Sequence, residues 1–290
     1  MFERRGYLLD LTGRVPTMRT MQELIDVLAN CRYTEFRPFA ERDFPDSLDF
    51  GRLDAYCRMQ GLELVRTTRV DYEALFLSAE YAICSTEAER SLAGRVEAMR
   101  ENMQRAEAQG RARKARGFLV TDFDDGFSWQ PLAVSLPGVI MGGTFAATGA
   151  KAAHMDLEKE LNRTFDAPVA GLLLKLGTLY LRGGAVREHA SEFFNILAGE
   201  VGYSRHPGLT QLVLDDVSGV ARGVRVAAER WTERCDWAKE IVYAANLLDC
   251  ACHRRDEARL REVRDEHGRI WRMRFAPEGR VESLAKLPRF

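Results

Sequence analysis

The sequence predicts an α/β fold built on a parallel sheet, and three features predict it. Short apolar runs alternate with amphipathic stretches through the first half of the chain. One of those runs, Phe118-Leu119-Val120, is apolar without alternation, as a strand covered on both faces reads. From about residue 156 the apolar spacing becomes helical almost throughout.

Residues 6–11 (GYLLDL) form the first strand, which ends among Asp10, Thr12 and Arg14. A helix follows from about Thr17, with Met18, Met21, Leu24, Ile25 and Leu28 on one face and Thr20 and Glu23 at capping-box spacing; Asn30 suits its end. Residues 33–40 alternate bulky and polar side chains as a second strand, Pro38 marks its exit, and Glu41 stands at its carboxyl end. Ser47 or Asp49 caps a helix through Leu53, Tyr56 and Cys57 that Gly61 closes, and residues 62–66 make a third strand. Tyr72, Leu75, Phe76 and Ala79 recur at helical spacing, residues 81–84 are a fourth strand, and a long helix opens at Thr86 and Glu89 with the stripe Leu92, Val96, Met99, Met103 and Ala106. The Phe118 run is then the fifth strand of a strict alternation, which calls for parallel strands joined by right-handed crossovers.

Residues 132–149 are small, glycine-rich and apolar, suited to close backbone approach beside the sheet. Helices are expected at 169–181, 189–201, 209–226 and 231–263, with one more strand at 270–275. The chain thus divides softly into 1–155, the sheet, and 156–290, a mostly α-helical region, with no Gly/Ser or Pro-rich linker between them. No periodic repeat is present beyond the strand–helix rhythm.

Composition narrows the function. With 290 residues, 46% of them hydrophobic and 29% charged, the chain reads as an ordinary soluble protein, and a net charge of −1 argues against broad electrostatic binding of nucleic acid or acidic membranes. The basic run 111–116 fits a solvated helix end, where cations oppose the macrodipole. The opening MFERRGYLLD lacks a secretory apolar segment and no uncharged apolar stretch is long enough to span a bilayer, so the cytoplasm is the expected location. Six cysteines without a CxxC pair read as reduced thiols, and Cys250-Ala251-Cys252-His253 has poor spacing for a tetrahedral metal. No glycine-rich phosphate loop follows a strand, so neither a metal nor a nucleotide cofactor is expected.

Residues 117–131 (GFLVTDFDDGFSWQP) carry the chemistry. At the carboxyl end of the fifth strand stand Thr121, Asp122, Asp124 and Asp125, followed by Phe127, Ser128, Trp129 and Gln130. Carboxylates accept hydrogen bonds from hydroxyls and flat rings cover an apolar face, which is what a sugar requires. The same residues also describe a solvated turn with Trp129 plugging a small core.

Several blocks resemble the family 20 glycoside hydrolases, the β-N-acetylhexosaminidases. Arg5 to Asp10 with Val15-Pro16-Thr17 is similar to that family's first barrel strand, and Tyr33 to Glu41, Leu53 to Arg58 and Gly61 to Val65 to its second strand, second helix and third strand. Leu119 to Asp122, Asp125 and Trp129 to Leu132 resemble its last strand, and Ile270 to Leu284 resembles the end of its helical C-terminal region. The resemblance implies a (β/α)₈ barrel with its pocket at the strand carboxyl ends, in which the substrate's acetamide attacks the anomeric carbon while an Asp-Glu pair after the fourth strand orients it and protonates the leaving oxygen.

The sequence departs from this pattern. Between the third strand and the strand at 81–84, which matches the family's seventh, there is room for one short helix, whereas three βα units need roughly thirty residues each. The expectation is therefore an incomplete or distorted TIM-type barrel of about five parallel strands, open on one side and packed against the helical region. The catalytic pair is missing: Asp256-Glu257 and Asp265-Glu266 lie in the charged tail and read as solvated surface, and no histidine follows the third strand in 67–75. No residue is assigned a catalytic role. Asp10, Arg14, Glu41, Asp122, Asp125 and Trp129 are the expected sugar-binding residues; Arg14 is displaced by one position, and Phe123 stands where relatives often carry Trp.

These observations leave three functions: a non-hydrolytic carbohydrate-associated protein, an active glycosidase using a strand-end carboxylate, and a structural, oligomer-forming remnant. The missing segment favours the first over the second. A homo-oligomer is compatible with all three, because two chains can close an opened sheet together.

Overall fold

The computed structural model describes residues 1–124, 126–184, 189–199, 206–253 and 256–288. The fold is α/β, with parallel strands. In chain order the first half contains β1 (Arg4–Asp10), α1 (Met18–Asn30), β2 (Glu35–Ala40), α2 (Phe50–Met59), β3 (Glu63–Leu64), β4 (Thr67–Thr68), α3 (Arg69–Ser78), β5 (Tyr81–Ser85), α4 (Val96–Ala112) and β6 (Gly117–Asp122). The expected third strand is split into β3 and β4, both paired with β2. The strands lie in the order β3-β2-β1-β6-β5, so the sheet is open and β3 and β5 occupy opposite edges.

Local chemistry accounts for the element ends. Thr17 caps α1 by accepting from the Thr20 amide at 3.2 Å, so the cap is Thr17 rather than the Thr20–Glu23 box. Asp49 caps α2, and Thr68 with Asp71 forms a capping box on α3. The expected helix start at Thr86 is displaced to Val96: residues 86–95 form a loop in which Glu87, Arg90 and Leu92 adopt positive φ.

Alternation gives the sheet two unlike faces. Tyr7, Leu9, Phe36, Cys84, Phe118 and Val120 join the large core that continues into the helices. The other face carries a small cluster, Leu8, Phe39, Tyr81 and Leu119, packed by Tyr72 and Leu75 of α3. Beneath that cluster lies a buried polar layer in which Glu35 accepts from Arg37 Nε at 2.8 Å and from the Tyr81 hydroxyl at 3.0 Å.

A 3-10 turn at Leu132–Val134 leads into α5 (Leu136–Thr148), the glycine-rich apolar segment of the sequence. Its glycines set its distance from the sheet: a Cβ on Gly142 would stand 2.4 Å from Val120 Cγ2, and one on Gly143 2.5 Å from the Cys31 carbonyl. Leu132–His154 is the one helical stretch among the described residues with the length and apolarity to cross a membrane, and 89% of its apolar window is buried within the protein.

The second half contains α6 (Leu157–Phe165), α7 (Ala170–Leu176), α8 (Glu192–Ala198), α9 (Gln211–Glu229), α10 (Asp236–Cys252), α11 (Glu257–Arg274) and α12 (Arg280–Lys286). The expected helix at 231–263 is therefore two helices, with Asp256 capping the second. The expected strand at 270–275 is instead the end of α11: Leu260, Val263, His267, Ile270, Trp271 and Arg274 are buried at helical spacing, and only Phe275 beyond it makes a bridge, to Pro16. Arg274 ties the two halves together, buried between Glu240 of α10 and Glu23 of α1. One continuous apolar cluster runs from Phe2 to Leu287 across residue 155.

Candidate functional site

The strand carboxyl ends are where the sequence gathers its carboxylates and rings. Asp10 closes β1 in register with Phe39 of β2. Its Oδ1 accepts from the Thr12 amide at 2.9 Å and its Oδ2 from the Asp124 amide at 3.0 Å. Burial pushes its carboxyl up to about 6 against these two bonds.

Asp124 folds the loop that follows β6. It accepts from the amides of Gly126 at 3.1 Å and Ser128 at 3.0 Å and from the Ser128 hydroxyl. Arg14 secures the same loop: buried to 6% exposure, it donates to the Gln130 carbonyl, stacks 4.9 Å over Phe275 and lies 3.9 Å from Asp124 Oδ2.

Asp122 points to the opposite face of the sheet from Asp10. It accepts hydroxyl hydrogen bonds from Tyr7 at 2.7 Å, Thr86 at 2.8 Å and Ser135 at 2.9 Å, joining β1, β5, β6 and the entry to α5. Trp129 is 1% exposed, with Phe127 and Phe194 against its ring and its Nε1 donating to the Ser283 carbonyl at 3.3 Å. Glu41 is exposed and pairs with Arg69 at 2.7 Å, rather than with Arg37 or Arg42. Asp125 lies outside the described residues.

These side chains are engaged within the protein. Asp10, Arg14 and Trp129 are brought together around residues 124–130, but their polar atoms are used on the protein's own backbone. Asp122 is consumed by three hydroxyls on the helical side. Trp129 has no ring face open to a ligand, so the core-plug reading of that residue holds.

A different group is open at this end. Phe39, Tyr72 and Phe123 form an edge-to-face trio, with ring centroids 6.1 Å apart for Phe39–Tyr72 and 5.3 Å apart for both Phe39–Phe123 and Tyr72–Phe123. Tyr72 and Phe123 are partly exposed, and Asp10 sits beside Phe39. Phe123 was legible as an aromatic residue directly after the β6 strand. Tyr72 lies on α3, whose contribution to this rim only the sheet topology reveals.

A second polar cluster was not legible in the sequence. His267 lies between Tyr243, whose hydroxyl is 2.7 Å from Nδ1, and Ser283, whose hydroxyl is 3.0 Å from Nε2. Ser283 donates to the Phe127 carbonyl at 2.6 Å, which leaves Nε2–H as the donor to Ser283 and Nδ1 as the acceptor from Tyr243. Burial, with Arg14 and Arg264 nearby, lowers His267 to about 3. A neutral imidazole and a hydroxyl already committed to a carbonyl make a lock on the 127–128 loop, not a nucleophile.

The Asp265-Glu266 pair also departs from expectation, since Glu266 is 9% exposed and accepts from Asn246 Nδ2 at 2.7 Å. Among the described residues no group of three or more His, Cys, Asp or Glu is arranged to hold a metal. Cys250 and Cys252 are buried in α10, with thiols pushed up to about 12.

No protein-family model and no curated protein matches the chain.

Proposed function

We propose that the chain is a carbohydrate-associated relative of the family 20 glycoside hydrolases, built on a remnant of their barrel that lacks the proton donor, and that it holds an N-acetylhexosamine-type sugar against Tyr72 and Phe123. The observation that carries this reading is the strand order. Counting β3 and β4 as one interrupted strand, the fifth strand lies beside the first and the fourth lies at the edge. The common doubly wound orders, 3-2-1-4-5-6 and 2-1-3-4-5, place the fourth or the third strand next to the first, not the last. A closing barrel does the reverse, because its last strand returns to the first and its penultimate strand lies outside that one. An eight-stranded barrel relieved of its middle strands and left open would have the observed order.

The rim supplies what a sugar face needs. The partly exposed rings of Tyr72 and Phe123 offer an apolar surface at the strand ends. Hydrolysis lacks support, because a general acid must aim a proton at the glycosidic oxygen. Asp10 directs both oxygens at backbone amides, Asp122 is enclosed by three hydroxyls, and Glu41 is held by Arg69 in solvent.

The oligomer-forming alternative draws on one observation: α3 buries none of its residues, and Val70, Phe76 and Leu77 are 74%, 66% and 82% exposed. Three measurements separate the readings. The purified protein should release no nitrophenol from nitrophenyl N-acetylglucosaminide, and calorimetry with N-acetylglucosamine should show saturable binding that Tyr72→Ala removes. Turnover abolished by Asp10→Asn would restore the glycosidase. Absence of sugar binding together with sedimentation as a dimer would leave the structural role.

A further inference from the structure

A cavity of about 550 Å³ opens between α10 and α11, away from the strand ends, with Val242, Ile270 and Met273 as its apolar wall and Lys239 and Arg269 on its rim. Its volume falls within the ordinary range for small-ligand sites. Its lining includes the buried carboxyl of Glu266, whose hydrogen bond among the described residues comes from Asn246. Buried carboxyls are normally enclosed by several donors, as Asp122 is here, so a carboxyl with a single amide partner at a cavity wall is an acceptor left for something else.

The surrounding charges define that ligand. Lys239 and Arg19, which also lines the cavity, share Asp236 at 2.8 Å and 3.3 Å, whereas Arg269 is exposed. Glu266 therefore suits a cation and Arg269, one turn further along α11, an anion close beside it, with the apolar wall next to both.

We propose that this cavity binds a small aliphatic amino acid, its ammonium group donating to Glu266, its side chain against Val242, Ile270 and Met273, and its carboxylate facing Arg269. The groups that act on Glu266 are Asn246 from α10, Arg225 from α9, and Glu262 and Arg269 from α11 itself. Burial raises its pKa to about 7, so at neutral pH part of the population is protonated; forming the ammonium–carboxylate pair sends that proton to solvent.

Leucine is the probe, with isopentylamine, which lacks the carboxylate, and isocaproate, which lacks the ammonium. Calorimetry of the full chain at pH 6.5 should show leucine binding with proton release, detected as a dependence of the heat on buffer ionisation. Isopentylamine should bind more weakly than leucine, and isocaproate should not bind. Glu266→Gln should weaken leucine by roughly tenfold or more and abolish the proton release. Met273→Trp, which fills the cavity and leaves the carboxyl in place, should also abolish binding. No binding of leucine or of the amine by the wild type would overturn the proposal, as would leucine binding that Glu266→Gln leaves unchanged.

Discussion

At the scale of single residues, two buried titratable groups in α11 act in opposite directions. His267 is lowered to about 3 by burial, whereas in the unfolded chain it titrates near 6.5. The unfolded state therefore takes up the proton first, and the stability His267 confers is full above about pH 6.5 and lost as the pH falls towards 3. Glu266 is raised to about 7 from 4.5, so its contribution is full below about 4.5 and lost as the pH rises through 7. Glu266→Gln should therefore stabilise the protein at pH 8, by on the order of 2 kcal/mol, and change little at pH 4, as measured by urea unfolding at the two values. His267→Gln should flatten the acid limb and cost roughly 1–3 kcal/mol at pH 8, because the Tyr243 and Ser283 hydroxyls lose a shaped partner. Equal effects at both pH values would contradict the first expectation. Neither residue was readable as buried from sequence: Glu266 sits in a run of charges, and its burial depends on Asn246, twenty positions earlier on another helix.

At the scale of elements, the strands were legible and the caps partly so. Apolar runs bounded by polar ends locate β1, β2, β5 and β6, because a parallel strand covered on both faces has a pattern of its own. The misread segment at 270–275 alternates Trp and Met with Arg in a way that suits a strand. The helical spacing reaching back to Leu260, satisfied by packing on α10, decides the structure. The α5 glycines were legible as a sign of close approach but not as to what they approach. Gly142→Ala would drive a methyl into Val120 and should cost about 1–3 kcal/mol in chemical unfolding. Gly219, whose added Cβ meets nothing within 4 Å, is the control; Gly219→Ala in the interior of α9 should stabilise by roughly 0.5–1 kcal/mol.

At the scale of the whole molecule, the sheet is open with β2 and β6 beside β1, and under the proposed reading these are the neighbours that a barrel would give its first strand. Residues 117–131 were legible as the end of a buried strand and the turn after it, and Asp122 does close β6. They did not give the candidate site its exposed surface. Side chains that look free in sequence, such as Trp129, are used to fix the loop to α12 through Ser283, while the rings that remain partly open come from α3 and the residue after β6. Because sequence order cannot show which strands become neighbours, Tyr72 and Phe123 meet only once β5 and β6 fall on the far side of β1.

The central claim is that those rings receive a sugar without hydrolysing it, and substitution at Phe123 tests it in both directions. Titrating N-acetylglucosamine into the wild type, Phe123→Ala and Phe123→Trp by calorimetry should show binding that is lost in the alanine variant. The larger ring should tighten it by about threefold. Identical responses in all three proteins, or none in any, would contradict the account.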